Sequence, residues 1–152
     1  MRPATLVLAL LACAPCVRAA APASWGDGLA GLYLTVDGGA QVSVAKGADG
    51  TFSGRIVWLK DDKERVDKNN PDPARRSDRV LGLVILKGFA PDPDSGRWVG
   101  GTIYDPKNGK TYDGFIWRDP DRPGVLFLKG YVLGITWLGR STTWTEEKAP
   151  RQ

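Results

Sequence analysis

From Gly31 to Thr145 apolar residues recur at alternate positions, and clusters of Gly, Asn, Asp and Pro cut that pattern into pieces of strand length. A period of two sends neighbouring side chains to opposite faces of a sheet, so such a chain buries its apolar half by pairing strands. Gly31 to Thr35 opens the set and Asp37-Gly38-Gly39 ends it. Ala40 to Ala45 alternates next, and Asp49-Gly50 turns the chain into Thr51 to Leu59, where Phe52, Gly54, Ile56 and Trp58 are expected on one face. After a charged stretch come Val80 to Phe89, Arg97 to Tyr104, Lys110 to Trp117, Val125 to Val132 and Arg140 to Thr145. Asn108-Gly109 marks a tight hairpin, because both residues tolerate positive φ.

This predicts an all-β fold of about eight antiparallel strands with no major helix. Glycines within the strands weaken a flat sheet but allow the coiling that closure demands, so an up-and-down barrel is the expected architecture. Its lumen is either filled by side chains or holds one small ligand. Ala40, Gly54, Gly100, Thr102 and Gly114 suggest room inside, next to Trp58, Tyr104 and Tyr112 as candidate ligand contacts. Val80 to Leu86 is apolar at every position but Gly82, so both faces need cover. That cover comes from the Lys60 to Arg79 loop, from Gly134 to Leu138, or from a second copy in a homodimer through Val80 to Phe89.

The N-terminus reads as an export signal: Arg2, the apolar run Leu6 to Ala12, and Val17-Arg18-Ala19 before a cut after Ala19. The expected organisation is a signal peptide over 1–19, an N-terminal segment over 20–30, one barrel over 31–145 and a tail over 146–152. Location is then periplasmic or secreted. The alternative is a lipid anchor on Cys13, since Leu10-Leu11-Ala12 precedes that cysteine. No later run of about 20 apolar residues predicts a membrane-spanning helix. Loss of Arg2 and Arg18 takes Lys plus Arg from 21 to 19 against 17 acids, a balance too even to suggest nucleic acid as partner.

Cys13 and Cys16 both lie in the leader and the chain has 0 histidines, so imidazole bases, thiolate nucleophiles and ordinary zinc sites are excluded from the rest. No cofactor or metal is expected. The serines stand in no nucleophile motif. Asp105 and Asp113 flank a hairpin as a glycosidase pair would, but Asp105 precedes Pro106 and reads better as a turn cap. Of the 20 residues from Lys60 to Arg79, 13 are charged, and most belong to a solvated face. The centre of that loop differs: Asp67, Asn69, Asn70 and Asp72 concentrate oxygens while Pro71 and Pro73 restrict the backbone, which predicts an ordered lid or shoulder. With Arg75 these residues are also candidate ligand contacts.

An ordered set of segments carries a resemblance. Gly54 to Leu59 (GRIVWL), Asp67 to Arg75 (DKNNPDPAR), Gly82 to Phe89 (GLVILKGF), Gly101 to Pro106, Gly109 to Tyr112, Gly130-Tyr131 and Leu138 to Trp144 are similar, in that order, to the domain of unknown function 2147 family. These are secreted bacterial proteins grouped with the lipocalin-like calycins. The resemblance implies the barrel and an envelope location, and brings no activity. It also implies that Gly31-Leu32-Tyr33 stands where such barrels open with Gly-x-Trp, and that Arg140 is the arginine crossing the barrel base, stacked on Tyr33 or Trp25. Both are then structural. Many family members carry cysteines where this chain has Lys46 and Ser53. The resulting expectation is a non-enzymatic barrel binding a small, partly apolar or amphiphilic envelope molecule. A filled structural or interaction module is the alternative, and a carboxylate-dependent hydrolase the third reading.

Overall fold

The computed structural model describes residues 25–152; the leader and both cysteines lie outside the described residues. A 3-10 turn, Trp25–Asp27, precedes strands β1 (Gly31–Leu34), β2 (Ala40–Lys46), β3 (Phe52–Leu59), β4 (Val84–Asp92), β5 (Arg97–Asp105), β6 (Lys110–Arg118), β7 (Val125–Tyr131) and β8 (Arg140–Glu147). They form a closed antiparallel barrel in sequence order, sealed where Tyr33 of β1 pairs with Glu146 of β8. The predicted eight-stranded barrel is therefore the fold. No helix among the described residues is long and apolar enough to cross a membrane.

Because every connection reverses direction, the barrel has two unlike ends. The β2–β3, β4–β5 and β6–β7 turns and the N-terminal 3-10 turn share one end. The β1–β2, β3–β4, β5–β6 and β7–β8 loops share the other. At the first end Trp25 stacks on Trp98 with centroids 4.9 Å apart, while buried Trp98 donates its Nε1–H to the Gly26 carbonyl at 2.9 Å. Beside them Arg118 lies over the Tyr33 ring, its carbon centre 5.7 Å from the centroid, and donates to Tyr33 Oη at 2.7 Å and the Gly28 carbonyl at 3.0 Å. The Tyr33 hydroxyl in turn donates a hydrogen bond to the Leu29 carbonyl at 2.9 Å. This end is closed.

Three expectations change. Arg140 is exposed and pairs with Gly130 at the opposite end, so Arg118 takes the crossing role assigned to it. The reason is direction: β8 starts at the far end and only its last residues reach β1. Second, a bulge between Gln41 and Val42 shifts the pairing, so Gln41 meets Trp58 while Val42 meets Ile56. Leu59 thereby takes the next buried place, and Trp58 leaves the inner row. Its Nε1–H donates to the Gln152 carbonyl at 2.9 Å and Arg151 lies 5.3 Å from its ring, so the tail straps it.

Third, the small residues do not mark empty lumen. A Cβ on Gly54 would come within 2.9 Å of Leu86, one on Gly101 within 2.5 Å of the Phe89 ring, and one on Gly114 within 2.9 Å of Ile103. Each glycine is the hollow into which a large neighbour packs. Gly100 sits at the β5 bulge with φ +74, and Ala40 packs against the core. The interior row is thus apolar and well filled, from Val42, Val44 and Ile56 to Ile116, Leu126 and Leu128.

Candidate functional site

The structural feature with the most chemistry is the Lys60 to Arg79 loop, folded back on the outer wall of β4 and β5. Val80 to Leu83 is not yet strand: the Gly82 N–H donates to the Ile56 carbonyl and the Ile56 N–H to the Leu83 carbonyl, both at 2.9 Å, clipping the segment to β3. The loop itself is closed by the Asp67 N–H on the Asp78 carbonyl at 2.8 Å and the Val80 N–H on the Arg65 carbonyl at 2.8 Å. Ile85, pointing outward from β4, is 7% exposed beneath this cover. The same chain therefore covers the apolar segment for which a homodimer had been considered.

Local sequence explains why the loop holds one shape. Asn70 Oδ1 accepts the Asp72 N–H at 2.9 Å and Asp72 Oδ1 the Ala74 N–H at 3.0 Å, consecutive Asx turns that start a short 3-10 turn, Pro73–Arg75. Arg76 Nε donates to the Asn70 carbonyl at 3.0 Å, and Arg75 pairs with Asp78 at 3.1 Å. The anchor is Asp67, fully buried, whose carboxylate accepts the Tyr104 hydroxyl at 2.7 and 2.8 Å and the Asn70 amide at 2.7 Å. Burial first, and the Asp67 carboxylate second, push the Tyr104 hydroxyl up to about 12, so at ordinary pH it is always a donor.

Asn69 extends the anchor. Its Nδ2–H donates to the Lys107 carbonyl at 2.8 Å, and its own carbonyl presses on Gly109, where φ is +71 and a side chain has no space. Lys107 in turn pairs with Asp37 in the β1–β2 turn at 2.7 Å. Hydrogen bonds from Lys107, Thr35 and the Gly39 N–H hold the Asp37 carboxyl well below the usual carboxylate range. Three loops of the open end are thus linked through side chains.

Between this loop and β3–β5 runs an open groove of about 700 Å³. Its floor is Leu83, Val84 and Ile85, and Tyr104 closes one side. Arg55, Arg75, Arg79 and Lys87 also line it, against one carboxylate, Asp78. Arg79 is tied to Glu64 and Arg75 to Asp78, whereas Arg55 and Lys87 make no ion pair among the described residues. A second hollow of about 480 Å³ on the wall of β2 and β3 adjoins it through Arg55 and Val84. An apolar floor under a cationic rim suits a molecule with an apolar body and an anionic end.

Of the predicted contacts, Asn70, Arg75 and Tyr104 line the groove, with Asp67 buried behind them; Asn69 and Asp72 shape the loop. Trp58 lies under the tail, and Tyr112 sits at the inner rim, its side chain against Gly130 and its hydroxyl receiving the Asn108 amide at 3.1 Å. Thr102, expected to leave lumen space, faces the groove instead. Asp105 accepts the Lys107 N–H at 2.9 Å and caps its turn as expected. Arg55, Arg79 and Lys87 escaped sequence reading. The available signal was parity: Arg55 and Lys87 occupy outward positions of strands that pair with each other. Among the described residues, no group of three or more metal-binding side chains comes together.

Comparison with known proteins agrees with this architecture. Among solved structures the barrel is similar to a protein from the human pathogen Helicobacter pylori described as belonging to the lipocalin family. The TM-score is 0.67 at 23% identity, over 79% of this chain and 83% of that one, a likeness of fold. No curated protein matches the chain. The sequence profile described as "Uncharacterized protein conserved in bacteria (DUF2147)" matches residues 31–146, from the first strand into the last. With that match running from the first strand into the last, the chain belongs to the DUF2147 family and is built as a lipocalin-like barrel.

Proposed function

We propose that this protein is a non-enzymatic barrel of the bacterial envelope, periplasmic after loss of residues 1–19, that binds a small amphiphile with an anionic end. The binding place is the outer groove under the Lys60 to Arg79 loop, not the lumen. The observation that carries this reading is the groove itself: about 700 Å³, an apolar floor, and four cations against one carboxylate on its lining. The lipocalin-like fold supports a binding role, and the filled hollows at Gly54, Gly101 and Gly114 argue against a lumen ligand.

The test is a titration with dodecanoate and, separately, dodecanol, read by tryptophan fluorescence and by the rise in Tm that ligand binding produces. Dodecanoate is expected to bind more tightly, with Val84→Trp blocking the groove and Lys87→Glu removing the preference for the anion. Equal affinity for the two probes, or binding untouched by both substitutions, would overturn the assignment. Flat titrations throughout would favour the filled, protein-interaction alternative. Intact-mass measurement of exported protein decides processing: a mature start at Ala20 is expected, and an acylated Cys13 would replace it with a lipid-anchored form.

A further inference from the structure

Eight large apolar side chains are exposed among the described residues, and four of them fall in the β7–β8 connection between Tyr131 and Arg140: Val132 at 44%, Leu133 at 89%, Trp137 at 78% and Leu138 at 55%. A fifth, Val36 at 70%, stands on the β1–β2 turn, the neighbouring loop around the same rim because β8 pairs with β1. Scattered exposed apolar residues need no explanation, but this concentration at one end of a barrel does.

The backbone displays these side chains deliberately. Leu133 has φ 55 and Gly134 φ 70, two left-handed residues in succession, and the first is a conformation that disfavours leucine. Part of the loop's backbone is bonded internally: the Ile135 N–H bonds to the Val132 carbonyl at 3.0 Å and the Leu138 N–H to the Ile135 carbonyl at 3.2 Å, ending in a 3-10 turn, Thr136–Leu138.

Charge indicates the occupant. From Val125 to Thr145 the chain holds Lys129 and Arg140 and no acid. Neither cation makes an ion pair with another described residue, and they flank the apolar tip at the strand ends. We infer that the β7–β8 loop is a membrane-surface anchor: Leu133, Trp137 and Leu138 enter the interfacial layer of a bilayer while Lys129 and Arg140 meet anionic headgroups. Tryptophan and leucine above a basic base are what such an interface takes up. A second copy fits poorly, because a two-fold contact through this loop would set the unpaired cations of each copy close together. A few side chains on one loop also fall well below the ~800 Å² per partner that a stable interface buries. Trp25, the first described residue, lies at the opposite end of the barrel.

Flotation of the unacylated chain, expressed from Ala20, with vesicles tests this. One vesicle set is phosphatidylethanolamine with one part in four phosphatidylglycerol; the other is phosphatidylcholine alone. Binding to the anionic set is expected, with a blue-shifted tryptophan emission quenched by lipids brominated near the headgroup. Leu133→Ser with Trp137→Ser should weaken it by about tenfold or more, and Lys129→Glu with Arg140→Glu should remove the preference for anionic lipid. An unchanged Tm in both variants shows that folding is intact. Absence of flotation with either vesicle set overturns the proposal, as does flotation that survives the serine substitutions. A concentration-dependent dimer that those same substitutions dissolve would also overturn it and make the loop a self-association surface.

Discussion

The two ends of the barrel are built from the same strands yet use their polar and aromatic residues in opposite ways. At the closed end Trp98, Tyr33 and Arg118 donate to the Gly26, Leu29 and Gly28 carbonyls, within a dozen residues of the chain entry. At the open end the side-chain links tie loop to strand, from Asp67 to Tyr104, and loop to loop, from Lys107 to Asp37, and leave cations and apolar side chains facing outward. The difference teaches that one end is assigned to stability and the other to contact with something else. Substitutions of similar size should therefore have unequal effects at the two ends.

The largest effect is expected at the closed end. Trp98→Ala removes a buried indole, its hydrogen bond and the surface on which Trp25 stacks, and should cost ~3–5 kcal/mol in denaturant unfolding. A loss below ~1 kcal/mol would mean that the N-terminal turn is not part of the folded core. Next comes Tyr104→Phe, which leaves the buried Asp67 carboxylate with the Asn70 amide alone and should cost ~2–3 kcal/mol. Pulsed hydrogen exchange would locate that loss in the Lys60 to Arg79 loop rather than in the strands.

The same pair gives a pH signature. The Tyr104 hydroxyl titrates at about 12 in the fold, above its ordinary value of 10.0, so the folded state favours the protonated form. Its contribution is complete below pH 10 and is lost as pH rises through the folded value. The stability difference between wild type and Tyr104→Phe should accordingly shrink over that alkaline window, and a constant difference would refute the linkage. Asp37 supplies the acid counterpart. Its lowered pKa means that its contribution is present above the unfolded carboxylate range and disappears as pH falls through the folded value, which Asp37→Asn should abolish.

Smaller again is Arg118→Met, which removes the donor to Tyr33 Oη and the Gly28 carbonyl while keeping the aliphatic stem over the ring, for ~1–2 kcal/mol. Smallest is Arg140→Ser, expected within ~0.5 kcal/mol because the side chain is exposed at the open end. Chemical denaturation of both variants under one condition ranks them directly. A larger loss for Arg140 than for Arg118 would reverse the assignment of the two ends.

What the sequence determined by itself is what local pattern encodes. Alternation and turn chemistry placed seven of the eight strands within a few residues, because a period of two and residues tolerant of positive φ act over a handful of positions. The Asx turns of the Lys60 to Arg79 loop were legible for the same reason, as was the turn role of Asp105. The fourth strand was set four residues early, since Val80 to Leu83 is as apolar as a strand and only its clip to Ile56 shows otherwise. Tertiary structure alone decided which residue faces which. A single bulge at Gln41 moved Trp58 out of the inner row, and strand direction gave to Arg118 the place expected for Arg140. Gly54 and Gly114, which looked like space, became sockets for Leu86 and Ile103. Pairing register and barrel closure join residues tens of positions apart, and no local periodicity carries that information.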